Sequence, residues 1–170
     1  MIRKLKWEDM NDLIENYYSY YEEVKENPEF GIIFFNSRPS FESEVGWFTN
    51  LYRAVLNEDA IVRVAEEDGH VVGICDVARF RPGTELSHTG NLGIAIKEGY
   101  RDRGIGRELM QSVIEASKGK LEVLILSVFT TNERAYALYR KLGFVDYGRR
   151  PLAIKRGERY FDEILMYLRL

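Results

Sequence analysis

From Tyr100 to Leu109 the chain reads Tyr-Arg-Asp-Arg-Gly-Ile-Gly-Arg-Glu-Leu, and the spacing Arg101-x-x-Gly104-x-Gly106, with Arg103 and Arg107 alongside, suits an anionic ligand. Gly104 and Gly106 remove Cβ atoms where a ligand would approach the backbone. A helix starting here has first amides with no intrahelical acceptor and a partial positive charge, so the turn seats a phosphate group. The segment lacks the Gly-Lys-Ser/Thr ending that holds β- and γ-phosphates with magnesium. A metal-free diphosphate is the better match.

Proton-transfer groups are few. His88 has an intrinsic pKa near 6.5 and would accept a proton at neutral pH, although a lone histidine at a strand entrance is commonly just exposed or hydrogen-bonded. Asp76 lies between Cys75 and Val77 in an otherwise apolar run. A buried carboxylate there needs a partner, which an acceptor ammonium or a structural hydrogen bond would supply. Glu85 is a further neighbouring carboxylate, His70 beside a turn reads as solvated, and Cys75 reads as a small core residue or a thiol nucleophile.

The elements that must hold these groups follow from periodicity. Residues 2–7 suit a short strand. In 9–25, Met10, Leu13, Ile14, Tyr17, Tyr20, Tyr21 and Val24 make one helical face, its tyrosines serving core packing or an acceptor pocket. Asn27-Pro28 breaks this helix, and Ser40 caps a second over 41–57. Two β-branched runs joined by Glu66-Glu67-Asp68-Gly69 predict a hairpin, and Arg81-Pro82-Gly83-Thr84 turns into a central strand at 88–97. A helix at 104–118, a buried strand at 121–129, a helix at 132–142 stopped by Gly143, and closing strands at 144–150 and 159–168 complete the order β-α-α-β-β-β-α-β-α-β-β.

The 170 residues, 45% hydrophobic and 30% charged, predict one globular domain over 1–170, neither disordered nor membrane-spanning. A net charge of −3 argues against nucleic acid as a partner of Arg101, Arg103, Arg107, Arg149 and Arg150 and against an anionic membrane. One cysteine excludes an internal disulfide and a cysteine-only metal site, and the N-terminus has no apolar stretch behind its charges, so a cytoplasmic location without a metal is expected.

The turn Arg101-x-x-Gly104-x-Gly106 resembles the acetyl-CoA pyrophosphate signature of the GNAT superfamily of N-acetyltransferases. Asn132-x-x-Ala135-x-x-Leu138-Tyr139-x-x-x-Gly143-Phe144 resembles that superfamily's later motif, and the element order is the GNAT order along essentially the whole chain. A softer likeness lies in Gly157-x-x-Tyr160-x-Asp162-Glu163-x-x-x-Met166. The resemblance implies an α/β (α+β) fold with a mixed sheet of about seven strands flanked by about four helices. It implies acetyl-CoA as co-substrate and direct attack by an amine through a tetrahedral intermediate. The backbone of Ile94, Ala95 and Ile96 would pair with the pantetheine arm, with an Ile96 amide polarising the thioester oxygen. Arg101, Asp102, Arg103, Gly104, Ile105, Gly106 and Arg107 would hold the diphosphate, Asn132 would contact the cofactor, and Tyr139 would protonate the departing sulfur. A phenol suits that last role, because its pKa near 10 keeps the proton available at neutral pH.

Many relatives carry a glutamate where this chain has Gly90, so that carboxylate is absent here: either the acceptor scarcely needs a base or the base is displaced, with His88, Glu85 and Asp76 as candidates acting directly or through a water. At pH 7, deprotonating a lysine-like nitrogen near pKa 10.4 costs roughly 4.6 kcal/mol, against about 1 for an α-amine near 7.8. The absent glutamate points to an α-amine, whereas Glu22, Glu23, Asp162 and Glu163 point to a polyamine. Expected acceptors are a small amine or polyamine. A protein N-terminus or lysine is the alternative within the same chemistry, and an idle coenzyme A-binding module is the alternative outside it. GNAT dimers are common, so a homodimer is compatible.

Overall fold

Those periodic segments become seven strands and four helices in a computed structural model of the protein, which describes residues 1–170. The strands are β1 (Ile2–Lys4), β2 (Ala60–Glu67), β3 (His70–Arg79), β4 (Thr89–Ile96), β5 (Val123–Phe129), β6 (Val145–Arg156) and β7 (Arg159–Arg169). The helices are α1 (Met10–Glu26), α2 (Phe41–Leu56), α3 (Ile105–Ser117) and α4 (Glu133–Lys141). All strands join one mixed sheet in the order β1-β2-β3-β4-β5-β7-β6. The expected α/β class and element order hold.

Two boundaries differ from expectation for local reasons. The first strand stops at Lys4 because Asp9 folds back, accepting hydrogen bonds from the Lys6 amide (2.7 Å) and the Arg3 guanidinium (2.7 and 2.8 Å), which coils Trp7–Asp9 into a 3-10 turn. Strand β6 continues to Arg156, because register shifts at Asp146/Gly148 and Arg150/Ile154 absorb Pro151 and the left-handed Leu152 (φ 53°). The Asp68-Gly69 hairpin forms as predicted, both residues having positive φ (51° and 81°).

Helices α1 and α2 cover one face of the sheet around Leu13, Phe48, Val62, Val64 and Val71. On the other face, the core of α3, α4 and the sheet includes Val77, Leu109, Met110, Val113, Leu124 and Met166. Each fully buried apolar side chain stabilises by about 1.5–3 kcal/mol relative to exposure. Both layers therefore hold the sheet firmly.

One pairing matters for function. Strands β4 and β5, the only parallel neighbours, pair over just Thr89–Asn91 and Val123–Ile125. Beyond these residues they part. The Phe80 amide donates to Thr89 O and the Lys97 amide to Val72 O, so odd-numbered residues of β4 turn their backbone groups toward β3. By alternation, Leu92, Ile94 and Ile96 turn theirs into the gap.

Candidate active site

The turn leading into α3 has the features of an anion seat. Gly104 stands at the helix N-cap in the left-handed region (φ 84°), and no side chain caps the helix there. The contrast is local: Ser40 caps α2 and Asn132 caps α4, each accepting a backbone amide at 3.2 and 3.1 Å. The first α3 amide bonded within the helix is that of Glu108, which donates to Gly104 O at 3.1 Å. Packing at Gly106 is tight, since a Cβ there would come within 3.2 Å of Ile96 Cδ1, which would have to give by a few tenths of an ångström.

This seat opens into a cavity of about 580 Å³ that follows the parted strands. Its lining includes Ile94, Ala95, Ile96, Arg101, Asp102, Gly104, Gly106, Arg107, Asn132 and Tyr139. Arg101 is a strut rather than a free cation: it pairs through two nitrogens with Glu23 of α1, donates Nε–H to Ile96 O at 2.8 Å, and lies 4.6 Å over the Phe30 ring. Of its five donors two stay uncommitted. Arg107 is exposed in the first turn of α3. The open strand edge, the uncapped helix and these cations fit a diphosphate with an amide-bearing arm.

A second cavity of about 710 Å³ lies beyond it, and the two share Gly31, Ile32, Ile94, Ala95, Ser127 and Tyr139. Its walls carry Tyr17 and Tyr20 of α1, Phe35 and Trp47, and the carboxylates of Glu44, Asp76 and Glu163, and they include no lysine, arginine or histidine. Glu163 is 1% exposed and already served, accepting the Ser127 hydroxyl at 3.0 Å and pairing with Arg150.

Asp76 has no such partner. It projects over Gly93, where an added Cβ would stand 3.3 Å from Asp76 Oδ1. By accessible surface it is only partly buried, because it opens onto the cavity, yet protein encloses every other side. That enclosure lifts its pKa from 3.8 to about 6. Tyr139, 7% exposed where the cavities meet, is pushed well above an ordinary phenol by burial and by Cys75, so it keeps its proton at neutral pH. Cys75 is fully buried and driven upward by burial and by Asp76, which leaves it a thiol without access.

The structure brings together most of the residues expected from sequence, with seven exceptions. His88 is exposed at the opposite end of β4, its Nδ1 2.9 Å from Glu85 O; it lines neither cavity and stands about 20 Å of strand from Ile94. Glu85 is exposed in the same turn. Arg103 turns away to Glu67 (3.0 Å), and the Ile105 side chain enters the core. Gly90 excludes any side chain, since a Cβ would meet Val77 Cγ1 at 2.4 Å and Leu121 Cδ1 at 2.7 Å. Of the acidic residues read as acceptor ligands, Glu22, Glu23 and Asp162 pair with Lys25, Arg101 and Arg149 and do not line this cavity. Glu44 was missed, although a charge four residues before Phe48 on the apolar stripe of α2 is a signal that sequence carries.

Residues 7–144 match the model of the Acetyltransferase (GNAT) family. An L-methionine sulfoximine/L-methionine sulfone acetyltransferase of Pseudomonas aeruginosa is 26% identical over 111 residues, which are 65% of this chain and 64% of that protein. The match thus spans less than two-thirds of that relative. Among solved structures, a ribosomal-protein-alanine N-acetyltransferase from Brucella melitensis superposes with a TM-score of 0.85 at 27% identity, covering 100% of this chain and 99% of that one. A Salmonella typhimurium protein solved with its cofactor acetyl-CoA has the same fold, with a TM-score of 0.84 at 21% identity over 100% of this chain and 93% of that one.

Proposed function

The chain belongs to the Acetyltransferase (GNAT) family, and from that premise we propose that it moves an acetyl group from acetyl-CoA to the primary amine of a small cationic acceptor, such as a polyamine, that carries no carboxylate. One observation carries the reading: an aromatic cavity holding three carboxylates and no basic side chain meets the diphosphate-type cavity at Tyr139. An ammonium is welcome there, whereas an amino-acid carboxylate finds no cation to receive it.

Acetyl-CoA supplies an acyl group activated as a thioester. The α3 amides, Arg107 and the spare Arg101 donors hold its diphosphate, and the backbone of Ile94 and Ile96 pairs with its amide-bearing arm. Asp76 attracts the acceptor ammonium, takes one proton from it, and so frees the lone pair for attack. The nitrogen loses its second proton as the carbon–sulfur bond breaks. Tyr139 gives its hydroxyl proton to the sulfur, and the proton from nitrogen restores the phenol. Asp76 then releases its proton to water, so each turnover yields an amide, a thiol and one proton. The lone buried cysteine suits a reducing compartment such as the cytoplasm.

The test is thiol release from acetyl-CoA across amines, amino acids and short peptides, together with Tyr139→Phe. Turnover with carboxylate-free amines, and a loss of about 100-fold or more in kcat for Tyr139→Phe with coenzyme A binding retained, are the expected results. Unchanged kcat in that variant removes the acid role. A second reading, acetylation of a protein N-terminus, is favoured by the full-length likeness to the Brucella melitensis enzyme, and turnover confined to peptides would select it.

A further inference from the structure

Glu44 is the one unpaired cavity carboxylate for which amine transfer itself has no use. It lies in the first turns of α2, which Ser40 caps, so the helix amides favour its charge. Glu44 is 4% exposed, its carboxylate pairs with no cation, and its oxygens keep their remaining accessible surface toward the acceptor cavity. Burial raises its pKa above the ordinary glutamate value. Trp47 follows one turn later on the same helix face, and Tyr17 faces it from α1, near enough for the Glu44 charge to oppose ionisation of that phenol.

Glu44 and Asp76 therefore make two unpartnered anions in one cavity, on different walls: Asp76 on the sheet over Gly93, and Glu44 on a helix among aromatic rings. A single ammonium neutralises one of them and leaves the other without a counter-charge. We propose that Glu44, flanked by Tyr17 and Trp47, is a second cation site, so that the acceptor is a dication with one ammonium reacting at Asp76 and the other anchored at Glu44. The aliphatic span between the charges lies along the apolar wall that includes Ile32, Ile33 and Ile74. The aromatic faces add cation–π attraction at the Glu44 end. Glu44 is thus a specificity-determining residue, and the inference rests on the amine-transfer reading.

The experiment compares putrescine, cadaverine and spermidine with butylamine and pentylamine, in thiol-release kinetics and in calorimetric titration of the coenzyme A-loaded protein, for the native chain and Glu44→Gln. The expected native result is a kcat/KM for diamines at least tenfold above that for the matching monoamines, with tighter binding in parallel. Glu44→Gln collapses both ratios to within about twofold, while its coenzyme A affinity reports that the variant is folded. Equal kcat/KM and equal binding of putrescine and butylamine, or a preference that survives Glu44→Gln, overturns the proposal. If no amine turns over, the small-amine reading falls, and the titration alone still decides: preferential diamine binding lost in Glu44→Gln upholds the second cation site, and equal binding overturns it.

Discussion

Asp76 carries the sharpest conflict between stability and chemistry. Because burial lifts it from 3.8 to about 6, the folded chain between about pH 4 and 6 keeps a proton that the unfolded chain has lost. Its contribution to stability is therefore greatest below about pH 4 and declines as pH rises through 6, the reverse of a salt-bridged aspartate. A shift of this size corresponds to roughly 2–3 kcal/mol at most. Asp76→Asn should raise the midpoint of thermal unfolding at pH 7.5, with little effect at pH 4, while lowering acceptor turnover by about 100-fold to a measurable residue. On the proposed function, kcat/KM of the native chain should rise with pH through about 6, and that limb should vanish in the variant. A pH–rate profile and paired melts check both, and a limb that persists in Asp76→Asn assigns the base to another group. Burial shifts Tyr139 in the same direction without that conflict, since the burial that keeps its phenol protonated also keeps it a donor.

At the scale of elements, the irregular connection between α1 and α2 is the wall common to both cavities through Gly31 and Ile32. Arg156 at the end of β6 holds it in place. Its guanidinium donates to the carbonyls of Pro28 (2.6 Å), Phe30 (3.0 Å) and Ile32 (2.7 Å) and lies against the rings of Phe34, Phe129 and Phe161 at 5.4–5.8 Å. Arg156→Ala would leave three carbonyls without their charged donor, a loss on the order of 2 kcal/mol if the segment partly resolvates. The expected outcome is a midpoint lowered by about 4–8 °C and a raised KM for both substrates. Arg156→Lys should restore little, since a point ammonium cannot span three carbonyls as a planar fork does. Scanning fluorimetry and steady-state kinetics measure the two effects, and a lowered midpoint with both KM values unchanged would sever the loop from the site.

Across the whole molecule, function depends on where charge gathers rather than on how much there is. A net charge of −3 is unremarkable in 170 residues, yet the lining of the 710 Å³ cavity includes three carboxylates and no basic side chain. Tyramine and tyrosine, which share a ring that suits the aromatic walls and differ by one carboxylate, should therefore be discriminated. We expect kcat/KM at least tenfold higher for tyramine, because the carboxylate of tyrosine enters an anionic, partly desolvated site. Competitive thiol-release assays measure the ratio, and a preference for tyrosine would place an unrecognised cation at the acceptor.

How much of this was legible beforehand follows from the range of each interaction. Periodicity and turn chemistry are local, so the element order, the Asp68-Gly69 hairpin, the uncapped turn at Gly104 and the oddity of Asp76 in an apolar strand could all be read along the chain. Arg101 meets Glu23 across 78 positions and Arg156 meets Pro28 across 128, so neither the strut nor the clamp leaves a local trace. His88 looked catalytic because it lies close in sequence to β4, and it is remote because an extended strand carries residues apart at about 3.3 Å each. Sequence alone determined which segments are helices and strands and which turn opens a helix without a side-chain cap, since those outcomes depend on neighbours a few residues away. Tertiary structure decided that β4 and β5 part, that two cavities meet at Tyr139, and that Glu44 and Asp76 face one space, because each requires side chains from distant segments to be packed together before it exists.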